Sequence, residues 1–263
     1  MDLEKVITLN ADGSGTFVET GLLLNEAGKP PKESAEPSSP PDLNDKAFHW
    51  IDEDRLRNRA PELGDGVTFV SASRVATDKG RGWTATYAFP DISKLKLDQN
   101  LFTLETVSPG NAAVSEGIPN PIRFKFHQGS PAELIVDMTA PAPPQRDQAA
   151  LSQFARRDTS ATAESIAEMI GTEFKDARIA IMIDFPSDII KTDARFHEGR
   201  RVTLMDLDFN KLRAKPGWEK KVSVFMDSPY FNRMIFAGVP GAKVDLNNLY
   251  HVRFAAADPS RVH

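Results

Sequence analysis

A single bend near the start of the chain most constrains the fold. The stretch "KVITLNADGSGTFVETGLLLN" places Asp12 and Gly13 between two runs rich in β-branched and aromatic residues. An Asp-Gly pair between such runs is typical of a β-hairpin, because glycine adopts the positive φ that the turn requires. The segment therefore predicts that two antiparallel strands open the chain.

The same bend resembles a ligand-binding loop, but its chemistry does not fit one. A phosphate loop leads into a helix whose N-terminal amides hold the anion, whereas Gly15 leads into a strand. A cation loop needs further acidic ligands at alternate positions, and "ADGSGT" contains only Asp12. Ser14 stands in a strand-to-strand bend, where a hydrolase nucleophile needs a strand-to-helix turn. We interpret "DGSG" as a turn.

Most of the remaining chain has the pattern of short strands separated by glycine or proline. Strand-like runs occur at 66–89, 100–108, 120–128, 132–140, 178–209, 219–227 and 249–256. Apolar residues recur at helical spacing in 44–60 and 160–175. These patterns predict an α+β fold, with curved, largely antiparallel sheets covered on one face by the two helices.

Two proline-rich stretches indicate how the chain is divided. The insert at about 29–42 has a composition that cannot support packing and predicts an exposed loop. A second proline-rich linker follows residue 140. We expect an N-terminal α+β unit at 1–140 and a C-terminal α+β unit at 148–263, packed together as one globular body.

The two predicted units show the same order of elements. Gly80 and Gly199 occupy corresponding bends, and the closing segments are "DISKL" at 91–95 and "DFNKL" at 208–212. This order suggests a weak internal ββαββ repeat whose units pair through their sheets.

Composition excludes several classes of function. The net charge is -5 and no block of Lys and Arg stands apart from acidic residues, so a nucleic-acid partner is not expected. Arg55, Arg57 and Arg59 sit among acidic residues on both sides and predict a solvated helix face. The absence of cysteine excludes disulfides, cysteine-bound metals and thiol nucleophiles. The chain as it stands begins without a signal peptide, and its early first strand is compatible with a removed export signal.

No constellation of residues predicts catalysis, a metal site or a cofactor. The five histidines are not spaced as local metal ligands are; they are His49, His127, His197, His251 and His263. Asp206 and Asp208 would share one face of a strand, a geometry open to paired-carboxylate chemistry, although charges on a solvent face are the commoner cause. Trp83 in "GRGW" fits a core or edge aromatic after a turn glycine better than a binding platform.

Several stretches resemble the LppM-type lipoproteins of the bacterial envelope. They are "KVITLNADGSGTFVET", the unit "GDGVTFVSASRVATDKGRGWTATYAF" with "DISKL", and "RIAIMIDFPSDIIKTDARFHEGRRVTLMDLDF". The resemblance implies an extracytoplasmic α+β domain tethered by an N-terminal lipid, without catalytic residues. This chain departs from the pattern because it has no lipobox cysteine.

Two functional hypotheses follow. The first is a non-enzymatic, cell-envelope domain that binds a protein, lipid or glycan, with membrane contact only through a removed lipid anchor. The alternative is a hydrolase or other enzyme that uses scattered acidic residues such as Asp206 and Asp208.

Overall fold

The structure is a computed structural model of the 263-residue chain and describes residues 2–24, 53–77, 80–99, 120–139, 177–214, 236 and 238–255. Its strands are β1 (Asp2–Leu9), β2 (Gly15–Leu24), β3 (Thr68–Ala76), β4 (Gly80–Phe89), β5 (Leu97–Asp98), β6 (Pro121–His127), β7 (Ala132–Asp137), β8 (Arg178–Asp184), β9 (Ile189–Thr192), β10 (His197–Glu198), β11 (Arg201–Asp208), β12 (Ala242–Val244) and β13 (Leu249–Phe254). Its helices are α1 (Glu53–Asn58) and α2 (Phe209–Arg213), and 3-10 turns lie at Ala60–Leu63 and Ile92–Lys94.

The predicted α+β fold is wrong. Strands make up 58% of the described residues and helical segments only 13%, and they form two mostly antiparallel sheets. The predicted helix at 44–60 is described only from Glu53, and it ends at Asn58. The predicted helix at 160–175 lies outside the described residues. The physical reason is that the apolar sides of the strands meet those of other strands, so the described core is built largely from the two sheets.

The first sheet contains eight strands. Its strand order is β10-β11-β8-β1-β2-β4-β3, with β12 added beside β11. The opening hairpin, β1 and β2, is antiparallel, and β1 also pairs in parallel with β8. Leu3, Ile7 and Leu9 alternate along β1 with more exposed residues, so one face of the sheet is buried.

The second sheet has the strand order β5-β6-β7-β13-β9. Phe124, Leu134 and Val252 point to its buried side, and most of the alternate positions carry charged residues or histidine. This sheet packs onto one end of the first, because Phe254 of β13 lies 4.9 Å, centroid to centroid, from Phe185 at the end of β8. The buried apolar residues of both sheets form one continuous core.

The predicted turn at "DGSG" is confirmed. Gly13 has a φ of 89°, and the Asn10 N–H donates to the Ser14 carbonyl across 2.7 Å. The Asp12 carboxylate accepts hydrogen bonds from the Ser14 hydroxyl at 2.7 Å and from the Ser14 N–H at 3.0 Å. These hydrogen bonds lower the pKa of Asp12. Hydrogen bonds between Ser14 and Asp12 hold the turn, so these side chains bond to each other and are not arranged as ligands of an ion or a phosphate.

The two closing segments of the predicted repeat do form similar turns. Asp91 caps the 3-10 turn by accepting from the Ser93 N–H, and Asp208 caps α2 by accepting from the Lys211 N–H. The strand positions, however, are not equivalent. In the β3–β4 hairpin the second strand is the inner one, whereas in the β8–β11 pair the first strand is.

Both sheets combine strands from the two predicted units. The parallel pairing of β1 with β8 joins the units within the first sheet, and β13 beside β7 joins them within the second. The division into units at 1–140 and 148–263 remains a prediction.

Candidate functional site

A charged pair interrupts the apolar face of the first sheet. Lys5 points to the same buried side of β1 as Leu3 and Ile7. The residue opposite it on β2 is Glu19. The Lys5 Nζ lies 3.4 Å from Glu19 Oε1, and the two side chains are 9% and 0% exposed. Because β1 and β2 occupy the middle of the sheet, the pair lies far from either sheet edge.

Apolar side chains surround this pair. In register, Ile181 of β8 lies beside Lys5, and Ala85 of β4 lies beside Glu19. The next row contains Gly21 and Trp83, where a Cβ on the glycine would lie 3.2 Å from the indole ring. Charges in such surroundings lose their hydration, so each needs close partners to remain buried at acceptable cost.

Arg59 completes the group, which we call the inner charge cluster: Lys5, Glu19 and Arg59. The Arg59 Nη1 donates to Glu19 Oε2 at 2.5 Å, and the Arg59 side chain is 30% exposed. Burial acts to lower the pKa of Arg59, but the attraction and hydrogen bond of Glu19 outweigh it and raise the pKa. Arg59 is therefore a permanent cation that links the buried carboxylate to the surface.

Contacts of α1 hold Arg59 in place. The Tyr87 hydroxyl donates to the Leu56 carbonyl at 3.1 Å, and the Arg57 guanidinium lies 4.7 Å from the centre of the Phe69 ring. Burial raises the pKa of Tyr87 to about 12. The hydroxyl therefore stays protonated at neutral pH and keeps donating to the end of α1.

The hydrogen bonds of the inner charge cluster are incomplete. Within the described part of the chain, the Lys5 ammonium donates none, although it has three N–H donors. Glu19 Oε1 is buried and likewise accepts none. Two cations face one carboxylate, and only the exposed Glu62 adds a more distant negative charge near Arg59. This arrangement is suited to binding one further anionic oxygen next to Lys5.

The two acidic candidates from the sequence are engaged in ion pairs. Arg178 donates to both carboxylate oxygens of Asp206, at 2.8 and 3.1 Å. Asp208 caps α2 and lies 2.9 Å from the Lys211 Nζ. Burial acts to raise the pKa of Asp208, but hydrogen bonds from Lys211 outweigh it and lower the pKa. Each carboxylate is thus neutralised by an adjacent cation.

His197 and His251 make contacts that are separate from each other. The His197 Nδ1 lies 2.8 Å from the Ala194 carbonyl, and the His251 Nδ1 lies 3.4 Å from Glu133 Oε1. His49 and His263 lie outside the described residues. In the described ranges, no three histidine or acidic side chains are grouped as metal ligands would be. No helix in those ranges is long and apolar enough to cross a membrane.

Trp83 and Arg59 test two further interpretations. Trp83 is 8% exposed, which confirms the prediction of a core aromatic in "GRGW". The prediction that Arg59 lies on a solvated helix face is wrong, because it follows α1 and bonds to Glu19. Of the three arginines, only Arg55 and Arg57 are on the exposed face of α1.

Sequence reasoning overlooked the inner charge cluster. A signal was present, because strict alternation along "LEKVITL" places Lys5 with Leu3 and Ile7. The same rule places Glu19 with Phe17 on β2. Arg59 carries no such signal, since its contact with Glu19 joins residues 40 positions apart.

A weak structural similarity connects this chain with a solved bacterial domain. The chain is similar to the folded domain of the Mycobacterium tuberculosis protein LppM, with 12% sequence identity and a TM-score of 0.30. The alignment covers 98% of this chain and 91% of that chain. No protein-family profile and no curated protein matches the sequence. The similarity is weak and at the level of the fold alone.

Proposed function

We propose that the protein is a non-enzymatic binding domain of the bacterial cell envelope and that its inner charge cluster receives the anionic group of a ligand. The observation that carries this proposal is the Lys5 ammonium, which stands on a side chain that is only 9% exposed and donates no hydrogen bond within the described part of the chain. An ammonium on a largely buried side chain gains a charge-assisted hydrogen bond when an anionic oxygen comes next to it.

The surroundings of Lys5 indicate what the rest of the ligand is. Leu3, Ile181 and Trp83 lie in the same and the adjacent register rows, so the ligand next to its charged group would contact apolar side chains. Arg59 is the most exposed member of the cluster and marks the side from which an anion would approach. These features suit an amphiphile with one anionic head, such as a long-chain carboxylate or a monoacyl phosphate.

The envelope assignment is supported by the sequence stretches that resemble LppM-type lipoproteins, above all the opening hairpin around Gly13. The enzyme alternative depends on Asp206 and Asp208. Both are held in ion pairs, and no observation in the described residues favours catalysis by them.

Titration with a long-chain fatty acid tests the proposal, with the fatty alcohol of equal chain length as the neutral comparison. We expect calorimetry to show binding of the acid and at least tenfold weaker binding of the alcohol. Lys5→Met should weaken binding of the acid at least tenfold, because it removes the buried cation while Arg59 still neutralises Glu19.

The matched control is Lys243→Met, which removes an exposed lysine on β12 of the same sheet. It should bind the acid as the wild type does. Equal binding of acid and alcohol, or wild-type affinity in a folded Lys5→Met protein, would contradict the proposal.

A further inference from the structure

The first sheet ends in an edge strand, β3, that lacks most of the usual protection. Within the described residues, β3 pairs only with β4. Its sequence "TFVSASRVA" contains no proline, lysine or acidic residue, and Arg74 is its only charged residue. Natural proteins keep edge strands from pairing with other chains by making them short, charged or bulged. β3 has one bulge, between Phe69 and Ser71, and is regular over residues 71–76.

The other edges of the two sheets are better protected in the described part of the chain. β10 and β12 share the opposite edge of the first sheet and have two and three residues. In the second sheet, β5 has two residues, and β9 has four residues that include the exposed Lys191. With its 9 residues, β3 is therefore the described edge at which a long strand can add.

The backbone of β3 offers hydrogen-bonding groups on its outer side. The Thr77 N–H donates to the Gly80 carbonyl at 2.8 Å, so these residues close the β3–β4 hairpin as a hydrogen-bonded pair. Hydrogen-bonded and non-hydrogen-bonded pairs alternate along antiparallel strands. Counted back from Thr77, the backbone groups of Ser73 point toward β4, and those of Ala72 and Ala76 point away from it. In the described residues, no backbone group bonds to Ala72 or Ala76 on that outer side.

The side chains of β3 leave this edge open. Val70 is 56% exposed, and Ser71 and Ser73 are exposed as well. The two serines lie opposite the uncharged Thr86 and Thr84 of β4. Neither β3 nor β4 contains an acidic residue. A second copy of this chain, which has a net charge of -5, can therefore approach β3 without meeting a carboxylate of either strand.

We propose that β3 pairs antiparallel with β3 of a second copy, which joins two first sheets into one. A contact around a two-fold axis requires a surface that complements itself. The second copy supplies a strand of matching length and low charge without any further partner.

The register of this pairing follows from the charges. With Ala72 on the two-fold axis, Ser71 lies across from Ser73 of the second copy, and Val70 lies across from its Arg74. The two Arg74 residues are then about 14 Å apart along the strands, beyond the Debye length of about 8 Å at physiological salt. No like charges lie directly opposite each other.

Sedimentation equilibrium of the full chain tests this proposal. Pairing of one edge buries less surface than a standard interface, so we expect a reversible dimer with a dissociation constant in the micromolar range. Val70→Lys should weaken the dimer at least about tenfold, because the new cation lies across from Arg74 of the second copy. Since Val70 is exposed, this variant should unfold at the same temperature as the wild type. A chain that stays monomeric up to about 1 mM would overturn the proposal.

The matched control is Ile190→Lys, which adds the same cation at an aliphatic residue that is 62% exposed on β9, an edge of the second sheet. It should dimerise as the wild type does. An equal loss in Ile190→Lys would overturn the proposal, because net charge or another edge would then explain the dimer. The pairing uses no residue of the inner charge cluster, so it does not depend on the ligand site.

A single cysteine at the axis tests the register, since the chain has no cysteine of its own. The Cα atoms of a hydrogen-bonded antiparallel pair are about 5.5 Å apart, a distance that a disulfide spans. Ala72→Cys should therefore form a disulfide-linked dimer under mild oxidation. Val70→Cys should not, because its two copies lie about 14 Å apart. If Ala72→Cys forms no more linked dimer than Val70→Cys, the proposed pairing is wrong.

Discussion

Lys5 and Glu19 face each other across the two central strands of the first sheet, on its buried side, with 3.4 Å between Nζ and Oε1. A hydrophobic pair at this position would avoid the loss of hydration that both charges suffer. Arg59 bonds to the other oxygen of Glu19, so one carboxylate holds two cations. Removing Glu19 should therefore lower the free energy of unfolding more than removing Lys5 does.

Glu19→Gln should be strongly destabilising. The substitution leaves Lys5 and Arg59 without their carboxylate, and breaking a buried ion pair in this way costs roughly 3–5 kcal/mol. Lys5→Met should change the free energy of unfolding by less than about 1.5 kcal/mol, because Glu19 keeps Arg59 and the volume is similar. Urea unfolding of the two variants measures both losses. Equal losses of unfolding free energy would show that Glu19 is no more important to the stability of the cluster than Lys5.

Tyr87 should titrate well above an ordinary tyrosine. Burial raises its pKa from 10.0 to about 12, so the unfolded chain loses this proton at a lower pH than the folded one. The stabilisation is complete below pH 10 and is lost as the pH rises from about 10 to 12. The difference in phenolate absorbance between wild type and Tyr87→Phe reports this ionisation. A midpoint near 10 would contradict burial of the hydroxyl against Leu56.

Gly13→Ala should destabilise the protein more than Gly199→Ala. Both glycines have positive φ, 89° and 56°, so both substitutions strain the backbone. Only at Gly13 would the new Cβ meet a side chain, the Phe126 ring at 2.6 Å, whereas nothing lies within 4 Å at Gly199. Thermal unfolding should show a larger fall in Tm for Gly13→Ala; equal falls would mean that the Phe126 ring moves aside without cost.

Asp208→Ala should remove the cap of α2 and cost about 1 kcal/mol at neutral pH. The lowered pKa of Asp208 means that its stabilisation is present above the unfolded pKa and is lost as the pH falls through the folded value. The difference between Asp208→Ala and wild type should therefore vanish in acid. Urea unfolding across this pH range is the measurement, and a difference that persists at low pH would point to lost packing in place of the cap.

Sequence patterns predicted the local elements well where a short-range cause decides them. The bend at Gly13 depends on the φ of one glycine, and the turn at 91–95 depends on a cap within two residues. The strands at 120–128 and 132–140 appear as β6 and β7 for the same reason, because alternation is a local property. The fold class was predicted wrongly, because helical spacing at 44–60 did not reveal that strands supply most of the described core.

By itself, the sequence determined which residues turn the chain and which side chains share a strand face, including the inward parity of Lys5 and Glu19. The tertiary structure alone decided that Arg59 reaches Glu19, and that β1 lies beside β8, where the Asp2 side chain accepts from an N–H 176 positions away. The physical reason is that the side of a strand to which each side chain points follows from the backbone geometry of that strand alone. Which strands become neighbours depends on burying the apolar faces of all strands together.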